Sequence, residues 1–213
     1  MSTTEWFRRL GDVPGVDYRP LVTVDRTRIS GHDAHPEVRT YGEQRSYLDW
    51  GSRELRNGDE EDLSAPVCEH VNSALDSEAA STSRLIRRLS EGFELPGEPS
   101  DYHWMLGKAV ERLWKRRAEP ESLAAVESLG LAHVQLALAC PGLVLFSGGQ
   151  TEGGERYKRP DAFPTLIRLY TAEGFLRAAL QVAEREAAQF PVGGDDVADI
   201  RSRLDTVAAE GGS

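Results

Sequence analysis

Apolar positions recur at helical spacing along most of this chain. Val67, Val71, Ala74 and Leu75 fall on one face of a helix, and Leu85, Ile86, Leu89 and Phe93 on one face of a second. Residues three and four apart lie above one another on a helix, so each set makes one apolar stripe. Tyr102, Leu106, Ala109, Val110, Leu113 and Trp114 form a third stripe, for which Asp101 is the expected N-terminal cap. Pro120 opens the next helix, where its missing N–H costs nothing. Leu123, Val126, Leu129, Val134, Leu136 and Ala137 carry that helix to Cys140-Pro-Gly. Tyr47, Leu48, Trp50 and Leu55 predict an earlier helix, closed by Asn57-Gly58. Val197, Ile200, Leu204 and Val207 predict a last one, over Asp195 to Ala209, that caps the stack.

The connections are read from the same pattern. Leu95-Pro-Gly-Glu-Pro-Ser is a strong break. Leu143 to Phe146 stays apolar, as a further helical turn or a short buried extension. Residues 147–160 contain Gly148, Gly149, Gly153 and Gly154 and are expected to be a flexible loop.

Residues 161–191 hold the most regular unit. Asp161 is placed to cap, and Pro164 falls in the first turn. Phe163, Leu166, Ile167 and Tyr170 share a face. Gly174 ends the helix, because glycine enters the left-handed region without a Cβ clash. Leu176, Ala179, Leu180 and Ala183 form the second stripe, and Pro191 closes it. Phe163, Leu166, Tyr170, Gly174, Leu176, Ala179 and Pro191 follow the order and spacing of a tetratricopeptide repeat, which this stretch resembles. It departs from that pattern twice. Ile167 stands where the family has a small residue, and Glu186, with Ala187 beside it, replaces the late alanine. Replacing Glu186 by alanine is therefore expected to be neutral or mildly stabilising.

Residues 1–40 follow no such pattern. Glu5 to Leu10 suits a short helix, and Leu21 to Ile29 alternates weakly, as a strand or short hairpin does. The fold expected is all-α. Stacked antiparallel helical pairs with irregular connections occupy residues 41–209, and an irregular arm of residues 1–40 packs on them or stays mobile.

Composition narrows the partners. The 213 residues include 35 acidic and 25 basic, for a net charge of −10, which disfavours a broad phosphate-binding surface. No apolar run or leader pattern is evident, so neither a membrane span nor secretion is expected. Cys68 and Cys140 then read as free thiols in a reducing cytoplasm.

Candidate chemistry is sparse. His32, His35, Cys68 and His70 include ligand types that zinc accepts, but no Cys-x-x-Cys or His-Glu-x-x-His pattern is present, and the two halves of the set are far apart in sequence. Cys140 lies at a helix end, where the dipole opposes a thiolate, and reads as inert. The glycine run after Ser147 lacks the strand, helix and lysine of a phosphate loop. Arg87, Arg88, Arg112, Lys115, Arg116 and Arg117 could touch nucleic acid, but the bland reading is a solvated helix face.

The resemblance implies a non-enzymatic adaptor that binds a protein or peptide, since first helices of such pairs line a groove. Carried to this chain, it points to Lys108, Arg112, Lys115 and Arg168, with Trp104 as an apolar anchor. An acidic peptide or C-terminal carboxylate would suit these cations. No cofactor or metal is expected. The alternatives are an enzyme or metal site near the N-terminal His and Cys residues, and a regulator that uses the Arg-rich helices.

Overall fold

The computed structural model describes residues 9–29, 67, 70, 71, 75, 80–147, 155–190 and 194–211. Its architecture is all-α, with helices α1 (Thr82–Gly92), α2 (Pro99–Lys115), α3 (Pro120–Ala139), α4 (Ala162–Ala172), α5 (Leu176–Gln189) and α6 (Gly194–Gly211). Successive helices from α2 to α6 pack as neighbours. Contacts of α1 with α3 and of α2 with α4 join them around one core. The helix expected over residues 41–60 lies outside the described residues.

Helix ends follow local chemistry. Ser81 caps α1 by accepting from the Arg84 N–H at 3.3 Å. For α2 the sequence reading is off by one turn. Pro99 begins the helix, Glu98 is the capping residue, and Asp101 reaches back to accept the Glu98 N–H at 2.8 Å. Asp161 occupies the cap position of α4, but its side chain makes no capping bond. Gly174 ends α4 at φ +80°. The Phe175 N–H then bonds the Tyr170 carbonyl at 2.7 Å, and the Gly174 N–H bonds that of Thr171 at 3.3 Å. This paired closure satisfies two carbonyls that the helix end would otherwise leave open.

Helix α3 is the core element. Its 20 residues have a mean hydropathy of 1.3 over the most apolar window, so by length and composition it could cross a membrane. That corrects the expectation from sequence of no such segment. Its apolarity matches its surroundings, because α1, α2 and α4 all pack on it. Gly130 of α3 lies under Leu166 of α4, where an added Cβ would come within 3.1 Å of the leucine side chain. Gly92 is tighter still, with a Cβ there falling 2.1 Å from Val71 Cγ2. Gly92→Ala is therefore expected to destabilise by about 1–3 kcal/mol, the range for overpacking. A denaturant midpoint equal to wild type would show that Val71 yields freely.

The described part of the arm, residues 9–29, packs on the helices. Leu10, Val13, Val16 and Tyr18 are buried, and the Leu10 N–H bonds the Phe93 carbonyl at 3.0 Å. Asp17 donates its backbone N–H to Gln135 of α3 at 2.8 Å. Leu21 to Ile29 forms no strand; Arg26–Arg28 is a 3-10 turn.

The glycine-rich connection is more ordered at its ends than its composition implied. Strands β1 (Leu145–Ser147) and β2 (Glu155–Tyr157) pair antiparallel, and the Lys158 N–H continues the ladder to the Val144 carbonyl at 3.0 Å. The ribbon delivers Arg159 to α5. There Arg159 Nε and Nη2 donate to both oxygens of the fully buried Glu186, at 2.9 and 2.7 Å, and Nη2 also pairs with Asp196 of α6. Glu186 is thus a fastened charge, and its replacement by alanine would not be neutral. The repeat pattern misled here because the partner arrives from outside the repeat.

Candidate partner-binding surface

Lys108, Arg112 and Lys115 lie one turn apart along α2 and share one side of it. They converge on a cleft of about 160 Å³ that Leu75 and Glu111 also line. Lys115 Nζ pairs with Glu111 Oε1 at 2.6 Å, which moderates the positive charge at that end. Lys108 and Arg112 also take part in interactions within the chain. Such a cleft can receive a carboxylate beside the largely buried Leu75.

The other two residues named from sequence lie elsewhere. Arg168 is exposed on α4 and does not line the cleft. Trp104 is half-buried and faces a different neighbourhood. Its ring meets His103 edge-on at 6.3 Å, and Lys158 Nζ lies 5.4 Å from its centroid, a cation–π distance. Trp114 is likewise only half-buried, under the guanidinium of Arg117 at 5.3 Å.

The basic residues near the end of α2 have structural work. Arg116 Nη1 donates to the Ala80 carbonyl at 2.6 Å and lies 3.2 Å from Thr82 Oγ1, which ties α2 to the start of α1. Arg117 donates to the Trp114 carbonyl at 3.2 Å. In α1, Arg88 faces His70 and Glu91.

Of the N-terminal His and Cys candidates, His32, His35 and Cys68 lie outside the described residues. His70 Nε2 is 3.1 Å from Glu91 Oε2 and 3.2 Å from Arg88 Nη1. Burial lowers its pKa, while the bond to Glu91 acts the other way. No group of three metal-ligand side chains occurs among the described residues. Cys140 is a half-buried free thiol whose pKa burial raises, in keeping with an inert residue.

One polar feature was not anticipated. His133 of α3 is 2% exposed and its Nε2 lies 2.9 Å from Nδ1 of His103 on α2. His133 Nδ1 is buried without a partner. A buried acceptor left unbonded costs less than a buried donor, so His133 carries its proton on Nε2 and donates to His103. Burial pushes His133 well below the ordinary histidine value, with His103 adding to the effect. Burial, then the charge of Lys158, lowers His103 to about 4. The only sequence signal was a histidine set inside the most apolar helix; its mate is 30 positions away. Compared with known proteins, the chain matches no family model, no curated protein and no solved structure.

Proposed function

We propose that this protein is a non-enzymatic binding module of tetratricopeptide-like character that docks an acidic peptide segment or a C-terminal carboxylate on α2. The observation that carries the reading is the convergence of Lys108, Arg112 and Lys115 on one cleft beside Leu75. The cations draw an anionic peptide segment in. A cytosolic adaptor role is in keeping with this chemistry.

The test uses a fluorescent hexaglutamate peptide with a free C-terminus. Lys108→Glu combined with Lys115→Glu is expected to weaken binding at least tenfold, since attraction is removed and repulsion added. Both side chains are exposed, so the melting temperature should barely move. Unchanged affinity in the double variant would overturn the reading. Arg168→Glu in the same assay decides whether the binding surface extends to α4.

A further inference from the structure

The buried histidine pair has a consequence at the surface of α2. His133 donates its Nε2–H to His103 Nδ1 at 2.9 Å. A neutral imidazole carries one N–H, so His103 holds its own on Nε2. Burial and the charge of Lys158 keep His103 neutral at pH 7. The His103 side chain is partly exposed, and no group among the described residues accepts from its Nε2. The pair therefore fixes a hydrogen-bond donor at the edge of the bundle.

Two further groups stand beside it. Lys158 is exposed, and its backbone N–H on the Val144 carbonyl sets where the side chain starts. Its Nζ lies 5.4 Å from the centroid of the half-buried Trp104 ring, which meets His103 edge-on at 6.3 Å. Lys158 and Trp104 also take part in interactions within the chain, which a ligand here would share or replace. An ammonium, a neutral N–H and an indole thus adjoin on the side of α2 nearest the ribbon. The ammonium and the N–H suit a carboxylate, and the indole suits an aromatic side chain beside it.

Trp104 also falls in line with the cations of α2. It precedes Lys108 by one turn and Lys115 by about three. The helix axis between Trp104 and Lys115 measures roughly 16 Å, a span that about five extended residues cover. In an extended segment, side chains two places apart point the same way. One such segment can therefore lay an acidic run over the cations, one side chain on Trp104, and the next but one on His103 and Lys158.

We propose that Trp104, His103 and Lys158 form a second subsite for the acidic peptide docked on α2, taking an aromatic residue on Trp104 and an acidic residue two places beyond it on His103 Nε2 and Lys158 Nζ. The inference rests on the reading of α2 as a docking surface and adds a sequence preference to it. His133 is a positioning residue, since it sets which nitrogen His103 presents.

The probe is a capped peptide of five glutamates, tryptophan, serine and a final glutamate, with a twin that ends in glutamine. At pH 7 the glutamate peptide is expected to bind about tenfold tighter than its twin, as a charge-assisted bond does over a neutral one. Lys158→Gln should remove most of that preference and leave the affinity for the twin as it was. His133→Leu lets His103 carry its proton on Nδ1 and should weaken the preference too. His133→Gln keeps an N–H donor and should restore it. In the unaltered protein, the His103 Nε2 resonance should move as the glutamate peptide is added and stay in place with the twin. Equal affinity for the two peptides, or an Nε2 resonance indifferent to saturating glutamate peptide, overturns the subsite, while binding of the twin still upholds the docking surface on α2. Should neither peptide bind, the docking surface itself is wrong and the subsite falls with it.

Discussion

Arg159→Ala is expected to lower folding stability by about 3–5 kcal/mol, the loss seen when one member of a buried pair is removed. The reason lies in the asymmetry of the pair. Glu186 is fully buried, whereas the Arg159 side chain is about one-third exposed, at 34%. Truncating the arginine strands a carboxylate in the core and also loosens Asp196 of α6. Glu186→Ala leaves a cation that still reaches water and Asp196, so its cost is expected to be smaller, about 1–3 kcal/mol. Replacing both, as Arg159→Met with Glu186→Leu, should recover most of the loss, because a packed apolar pair can equal a buried ionic one. Urea midpoints for the three variants test the ordering. An Arg159→Ala variant within about 1 kcal/mol of wild type would mean that Glu186 does not depend on Arg159 as its counter-ion.

Acid is expected to unfold the protein through its histidines. A histidine whose folded-state pKa is lowered binds its proton more readily when unfolded, so stability is present above the ordinary value of 6.5 and lost as pH falls toward the folded value. For His103, with a folded value of about 4, that window runs from about pH 6.5 to 4 and corresponds to roughly 3 kcal/mol. His133 is shifted in the same direction and is fully enclosed, so it extends the loss. Glu98 opposes them. Burial and the charge of Asp101 raise its carboxyl to about 7, so its contribution is complete below 4.5 and lost as pH rises through 7. Glu98 is only half-buried and caps a helix, where solvent and the dipole favour its charged form, so its opposing effect is discounted. The sum is a fall in stability of on the order of 3 kcal/mol between pH 7 and 4. Replacing both His103 and His133 by leucine should flatten that dependence, read as urea midpoints across the range. An equally steep profile in the double variant would place the acid sensitivity elsewhere.

The legible parts of this fold were those written in local periodicity. The Leu85-Ile86-Leu89 stripe, the two halves of the 161–191 unit and the left-handed Gly174 all follow from neighbours within a turn or two. The stripe in α6 was read one residue too far, since Val207 is 57% exposed while Ile200 is buried. What escaped were features made by residues distant in sequence. The three-residue strands at Leu145 and Glu155 are too short to show an alternating pattern and flank a glycine run that suggested only mobility. Arg159 with Glu186 and His103 with His133 are pairings across elements, and no spacing rule announces them. The same holds for the surface. Sequence put Lys108, Arg112 and Lys115 on one helix face, and the fold gathers them at one cleft with Leu75. It leaves Trp104 and Arg168 outside that cleft.

The apolar character of α3 has a consequence during synthesis. Its companions α1 and α2 precede it, but α4, which seats Leu166 on Gly130, leaves the ribosome only after the glycine-rich ribbon has been made. For that interval a 20-residue helix with the hydropathy of a membrane span has one side uncovered. Until α4 is made, the side of α3 that Leu166 will cover has no companion within the chain, and non-native contacts compete for it.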